Sequence, residues 1–545
     1  VIYFSFISIV SMPLLAQGLA TTLHNLSVSG PGNVKATSEN ELCVFCHTPH
    51  NSSPRQPLWN KSDPGINYTL YNSSTSEATV GQPSGPSLLC LSCHDGTIAL
   101  GSVLSRTDDI NFSSGVTIMP SGKTNLTTDL SDDHPVSFTY NSALAIDDGE
   151  LNDPATLNFT NIRLRNNKLE CISCHDPHKN DFIKFLVEDP KNSMLCIACH
   201  NKINWDYSSH RNSTATWNNL GVDPWPNANF TTVAENGCEN CHTPHNAGGN
   251  ARLLNYNAEE QNCLDCHNGN VAAKNIYTDI ILKPYRHGVI SYVNIHDPTE
   301  DGVLATHVEC QDCHNSHQVN NISTSAPLAS GFIQGVKGIN TDGNPIDPIQ
   351  NQYELCYKCH SDNAVTGSPT SRVIEQNNVR LEFESSNFSS HPIENGVRPN
   401  NSFIPTLIAP LDQTSIIYCT DCHSSDGIDS PNGPHGSQYP QILKFNYERV
   451  IWDLSFFAYE VCFKCHEQSA VTTLHRQIKF THARKASCNV CHDPHGVTDS
   501  PYLLNWDVSV VAPNFNGDLY YTDLGPGHGT CYMRCHNHDH FGSTY

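Results

Sequence analysis

The sequence predicts a mostly irregular, loop-rich chain with short helical turns and a few short β-strands, whose core is supplied by something other than side chains. Three observations lead there. At 545 residues the chain would ordinarily fold as three or four domains, each with its own apolar core. Yet only 38% of it is hydrophobic, while Gly and Pro contribute 33 each and Asn 55. Against that, 24 Cys and 30 His far exceed the usual handful of each. Whatever replaces the missing core is organised around Cys and His. The formal charge of −24 repels nucleic acid and anionic lipid surfaces, so neither is an expected partner.

Residues 1–20, VIYFSFISIVSMPLLAQGLA, carry no charge and end in small residues. They resemble the apolar and cleavage regions of a secretory signal, or else an apolar N-terminal arm. No other stretch reaches the roughly 18 apolar residues that span a bilayer. The expected product is exported, with no membrane span in the mature chain.

Every cysteine falls in one kind of motif. The first six are CVFCH (Cys43, Cys46, His47), CLSCH (Cys90, Cys93, His94), CISCH (Cys171, Cys174, His175), CIACH (Cys196, Cys199, His200), CENCH (Cys238, Cys241, His242) and CLDCH (Cys263, Cys266, His267). CQDCH (Cys310, Cys313, His314), CYKCH (Cys356, Cys359, His360), CTDCH (Cys419, Cys422, His423), CFKCH (Cys462, Cys465, His466) and CNVCH (Cys488, Cys491, His492) follow. The last, CYMRCH (Cys531, Cys535, His536), is one residue wider. Zinc ribbons or a disulfide framework could use paired cysteines, but neither explains a His after the second Cys in all twelve. Covalent attachment of haem c does. Two sulfurs bond the vinyl groups of one haem and the adjoining imidazole becomes its proximal iron ligand. Twelve haems, held covalently, then form the core, with the motifs on single helical turns.

The motifs alternate between two kinds. Five odd-numbered ones carry a second His three residues on: His50, His178, His245, His317 and His495. In the ninth, an insertion moves the equivalent Pro-His-Gly to His435. An apolar-Asn patch recurs downstream of odd motifs, as PLWN at Pro57, LLNY at Leu253 and LLNW at Leu503. The chain is thus six units of two haems each. Each unit has an isolated upstream His as well: His24, His134, His210, His287, His391 and His482. These two sets give twelve distal candidates for twelve irons, so bis-His coordination is expected throughout. Met12, Met119, Met194 and Met533 do not recur in the repeat. His296, His307, His475, His528, His538 and His540 are spares, with His475 competing with His482, and His296 and His307 with His287.

Histidines three residues apart stand on the same side of one turn, whereas the axial positions of one iron lie on opposite faces of a porphyrin. His50, His178, His245, His317 and His495 must therefore each reach a neighbouring haem, in their own unit, the preferred reading, or in the adjacent one. That coupling puts the haems in a line that follows the sequence. His24, on the arm LHNLSVSGPG, could instead cap a haem of another copy. The units are read as 21–94, 134–200, 201–267, 268–360, 361–466 and 467–545, with 95–133 an inserted loop or small β segment. TSIIY at Thr414 and RLEFE at Arg380 are the clearest β-like runs.

The doubled CxxCH motifs resemble those of multihaem cytochromes c, and the CHxPH pairs are similar to those of extracellular cytochromes that polymerise into conductive filaments. The resemblance runs from His24 to His540. It implies an electron-transfer protein rather than an enzyme, extracellular or at the cell surface, passing electrons to other proteins or extracellular acceptors, with a homopolymer as the assembly. A monomeric periplasmic or surface conduit is the alternative. A multihaem oxidoreductase of nitrite, hydroxylamine or sulfur oxyanions is a further one, disfavoured because every motif keeps its His.

Overall fold

The computed structural model describes residues 17–54, 58–113, 115–290, 297, 307–362, 370–396, 406–449, 456–475, 487–525, 528–535 and 537–544. They form two compact units, one made of Val1–Trp205 with Trp225–Asn257, the other of Asp206–Pro224 with Ala258–Tyr545. Regular structure is sparse in both. The longest helices are Gly85–His94, Glu259–His267 and Gln352–His360, and each ends on the histidine of an even-numbered motif. Pro86 sits in the first turn of Gly85–His94, where a missing N–H costs nothing. Gln352–His360 starts in a reciprocal capping box between Asn351 and Glu354. Other motifs occupy one turn, such as Cys171–Cys174, Cys310–Cys313 and Cys419–Cys422.

Side-chain cores are small and local. In the first unit Ala36, Phe45, Leu100, Val103, Ile110 and Phe112 cluster around the first motif, so the segment 95–133 packs on Phe45. A second cluster holds Phe138, Tyr140, Leu157, Ile162 and Leu169. The other unit has Tyr353, Tyr357, Phe383 and Ile393 in one group and Ala458, Tyr459 and Phe463 in another.

Three local expectations fail. RLEFE at Arg380 is helical over Val379–Glu382, because the Asn378 side chain caps the turn by accepting from the Leu381 N–H. TSIIY at Thr414 is loop: Asp412 turns the chain by accepting from the backbone N–H and the hydroxyl of Thr414. The twelfth motif does not sit on a helical turn. Cys531 and Cys535 lie on the strand His528–Cys535, between Tyr520–Gly525 and His538–Thr544, both antiparallel to it, and Val511–Ala512 pairs with its end. Tyr520, Tyr521, Thr522, Thr530 and Tyr532 favour a pleated surface, and Cys531 and Met533 turn inward onto Val490, Trp506 and Val511. Among the described residues no helix is long and apolar enough to cross a membrane. Of 1–20, only Gln17–Ala20 falls within the described residues, as one helical turn.

Candidate haem-binding sites

Each turn-borne CxxCH closes in the same way. The His backbone N–H donates to the carbonyl of the first Cys, at 2.7 Å for His47 to Cys43, 3.0 Å for His175 to Cys171 and 2.9 Å for His492 to Cys488. This brings both sulfurs to one side and sends the imidazole off the end of the turn. In four odd-numbered motifs its Nδ1 is then fixed by a downstream carbonyl, which at Arg252 and Tyr502 stands just before the recurring apolar-Asn patch. His175 faces Lys184 O at 2.8 Å, His242 faces Arg252 O at 2.8 Å, His423 faces Gln441 O at 2.8 Å and His492 faces Tyr502 O at 2.8 Å.

Each of these carbonyls belongs to a left-handed residue followed by another: Lys184–Phe185, Arg252–Leu253, Gln441–Ile442 and Tyr502–Leu503, with φ between 53° and 61°. Such conformations are unfavourable for non-glycine residues and persist where neighbours over-determine them. Here the next residues, Leu186, Leu254, Leu443 and Leu504, bridge back antiparallel to the motif histidine. The repeated left-handed pair therefore holds the tautomer, with Nδ1 protonated and Nε2 free for a metal.

The second feature is ring pairing. His47 faces His178 with centroids 6.1 Å apart, His24 faces His94 at 6.2 Å, His175 faces His245 at 6.2 Å and His134 faces His200 at 6.2 Å. In the other unit His210 faces His267 at 6.2 Å, His314 faces His435 at 6.1 Å and His287 faces His360 at 6.4 Å. His423 and His495 are 6.1 Å apart, His391 and His466 6.5 Å, His475 and His492 6.0 Å. Two metal–imidazole bonds of about 2 Å place opposing nitrogens about 4 Å apart and the centroids about 6.2 Å apart. Ten pairs thus have the spacing that one iron between two imidazoles requires. Burial favours the neutral, ligating form: it drives His200 and His435 down to about 3 and His423 and His466 to about 4.

The register differs from the preferred expectation. His178, His245, His435 and His495 face the proximal histidine of the preceding unit's odd motif, not a haem of their own unit. Among the described residues the isolated histidines His24, His134, His210, His287 and His391 face the even motif of their own unit. One turn serves both. The carbonyl before the second histidine orients the preceding unit's isolated ring: Pro177 O lies 3.4 Å from His24 Nδ1, Ser316 O 2.9 Å from His210, Pro434 O 2.9 Å from His287 and Pro494 O 2.5 Å from His391.

His24 faces His94 of its own unit, the alternative to capping a haem of another copy. His475 takes the place opposite His492; His482, like His536 and His296, lies outside the described residues. His307 is buried with its Nε2 3.3 Å from a Glu309 oxygen, and His360 pairs with His287. His317 sits on its motif turn, its N–H donating to Asn315 Oδ1 at 3.1 Å. His50 is exposed, and no ring faces it among the described residues.

Cysteines of successive motifs approach each other in sequence order. In the first unit Cys46 neighbours Cys93, Cys90 neighbours Cys171, Cys174 neighbours Cys199 and Cys196 neighbours Cys238. In the second, Cys313 neighbours Cys359, Cys356 neighbours Cys419, Cys422 neighbours Cys465, Cys462 neighbours Cys488 and Cys491 neighbours Cys535. Second cysteines meet within a repeat and first cysteines meet between repeats. The twelfth motif stands apart, since four residues of strand at about 3.3 Å each separate its cysteines by about 13 Å, where a helical turn leaves about 5–6 Å.

Several residues escaped the sequence reading. Asp133 and Glu382 bond the Nδ1 of His245 and His495, and Thr406 Oγ1 lies 2.7 Å from His466 Nδ1. Arg372 is buried and donates to the carbonyls of Asn489 at 2.5 Å, Asn505 at 2.6 Å and His492 at 3.1 Å, clamping the eleventh motif. Only the apolar-Asn patch carried a sequence signal for any of this.

Residues 165–204 match the family described as the doubled CXXCH motif, which covers the third and fourth motifs. The chain is a multihaem cytochrome c. Residues 230–394 of this cytochrome match a second family, described as outer membrane cytochrome MtrC/MtrF-like, domains II/IV, across the fifth to eighth motifs. A comparison with curated proteins finds no match. Both matched segments fall on motif pairs whose turns, carbonyl clamps and histidines are described above, in keeping with an electron-transfer cytochrome.

Proposed function

We propose that this cytochrome carries electrons along a line of twelve bis-His haems ordered as in the sequence, exported and working at the cell surface or beyond it. The observation that carries the reading is the ten histidine ring pairs at 6.0–6.5 Å. Bound haem supplies one-electron exchange at iron. The chain's own residues would do the rest: paired cysteines would anchor each group, facing imidazoles would hold its iron, and backbone carbonyls keep Nε2 turned inward. Closed axial positions leave no place for a small substrate, which favours electron carriage over turnover of nitrite, hydroxylamine or a sulfur oxyanion. Successive cysteine contacts support close spacing from one group to the next. Its partners on this reading are donor proteins and extracellular acceptors.

A filament subunit is the narrower reading. At His178, His245, His435 and His495 the position equivalent to His50 faces a proximal histidine one unit back, whereas His50 itself is an exposed imidazole available to a haem of another copy. Electron microscopy of sheared extracellular material separates ordered filaments from dispersed particles, which would leave the monomeric conduit. For the haem line itself, electron paramagnetic resonance of the oxidised holoprotein should give low-spin signals alone. High-spin ferric iron, or carbon monoxide binding to the native reduced protein, would overturn the closed-site account and revive the enzyme.

A further inference from the structure

The distal imidazoles are not equivalent on their outer side. Those of His24, His134, His210, His287 and His391 meet backbone carbonyls. Two meet buried carboxylates instead. His245 Nδ1 donates to Asp133 Oδ1 at 3.0 Å, with the Asp133 side chain only 4% exposed, and the Asn246 N–H donates to the same oxygen at 3.2 Å. His495 Nδ1 donates to Glu382 Oε2 at 2.7 Å, the Glu382 side chain being 9% exposed.

The contrasts lie within the same chain. His178 Nδ1 is 3.5 Å from Asp176, and both groups are open to water. His435 Nδ1 is buried with no hydrogen-bond partner among the described residues. A carboxylate behind a ligating histidine draws on its N–H, makes the facing nitrogen a stronger donor and favours the higher charge on the metal. With both carboxylates buried, solvent screens that preference little.

We infer that Asp133 and Glu382 are positioning residues that make the haems between His175 and His245 and between His423 and His495 the two lowest in potential, while the haem between His314 and His435 lies well above them. The inference rests on the bis-His reading proposed above. Each structural unit then holds one low point: an electron leaves these two positions readily for either neighbour and reaches them only from a sufficiently strong reductant. The chain is graded, not a level wire.

The test uses the full holoprotein with Asp133→Asn and Glu382→Gln, each followed by spectroelectrochemical titration and low-spin electron paramagnetic resonance. Each variant should raise the most negative part of the titration by about tenfold in the reduction equilibrium of one haem, 59 mV for one electron. It should also move one low-spin signal toward that of an ordinary bis-imidazole site. Glu382→Asp, which keeps an acceptor, should retain more of the low potential than Glu382→Gln, and Asp176→Asn should shift little. Should Asp133→Asn fail to fold, the Glu382 series decides alone.

An unchanged negative limb in both variants, with haem content and low-spin count intact, would overturn the inference. Failure of the underlying reading looks different: His245→Ala and His495→Ala would then leave the number of low-spin haems unchanged. If each instead removes one low-spin haem, the sites stand, and the carboxylate variants test the grading by themselves.

Discussion

Replacing His178 by Ala isolates the one-unit-back register. The ring of His178 is 65% exposed and its Nδ1 makes only a 3.5 Å contact to an exposed Asp176, so its loss should leave folding nearly untouched. What it removes is the imidazole 6.1 Å from His47. On the register found here, one haem loses its sixth ligand, that at Cys43 and Cys46. The haem at Cys171 and Cys174 keeps His175 opposed by His245, and that at Cys196 and Cys199 keeps His200 opposed by His134. One site in twelve motifs corresponds to about 8% of the haem becoming high-spin and one equivalent of carbon monoxide bound per reduced chain. Difference spectroscopy with titrated carbon monoxide gives the stoichiometry, paramagnetic resonance the high-spin fraction, and a structure of the variant its place. His134→Ala is the matched control and should open the haem at Cys196 and Cys199. Carbon monoxide at that haem in the His178 variant would restore the same-unit reading; at Cys171 and Cys174 it would refute the argument from three-residue spacing.

Other outcomes are as specific. Intact mass of the holoprotein should show twelve haems and Cys531→Ser should lower the count by one; eleven in the parent would mean that the strand carrying Cys531 and Cys535 does not open for attachment. Arg372→Ala should disturb the haem at Cys488 and Cys491 ahead of the others, read as a changed low-spin signal from one site, because three carbonyls around that motif lose their donor. Lys61 is buried with Nζ donating to the carbonyls of Ala99, Leu100 and Ser102 at 3.0, 2.6 and 2.8 Å, so Lys61→Met should cost about 3 kcal/mol in denaturant unfolding. Burial lowers the Lys61 ammonium below 10.5, so the unfolded chain binds its proton more tightly and this group's contribution to stability rises as pH climbs toward 10.5. In Lys61→Met that part of the slope should vanish.

The attachment chemistry was legible in the primary sequence because it is local. Two thiols and an imidazole must share one turn, and no residue outside CxxCH is needed to build it. Spacing could also exclude: His175 and His178 leave the same side of one turn, so they cannot oppose each other across one porphyrin. It could not choose among the remaining partners. His47 and His178 are joined across some 130 residues, and only folding around the Pro-His turns makes the unit behind, not the unit within, the near neighbour. The same holds for His475 at His492. Nor does the motif specify what stands behind each imidazole. The left-handed carbonyls at Arg252 and Tyr502 had at least a recurring patch beside them, whereas those at Lys184 and Gln441 had none that was read. Asp133 and Glu382 come from 112 and 113 residues away and share no pattern, so their electrostatics belong to the tertiary structure alone. At the last motif local propensity and motif chemistry disagree: tyrosines and threonines that pair well across strands pull Cys531 and Cys535 into a sheet, a competition that spacing could not reveal.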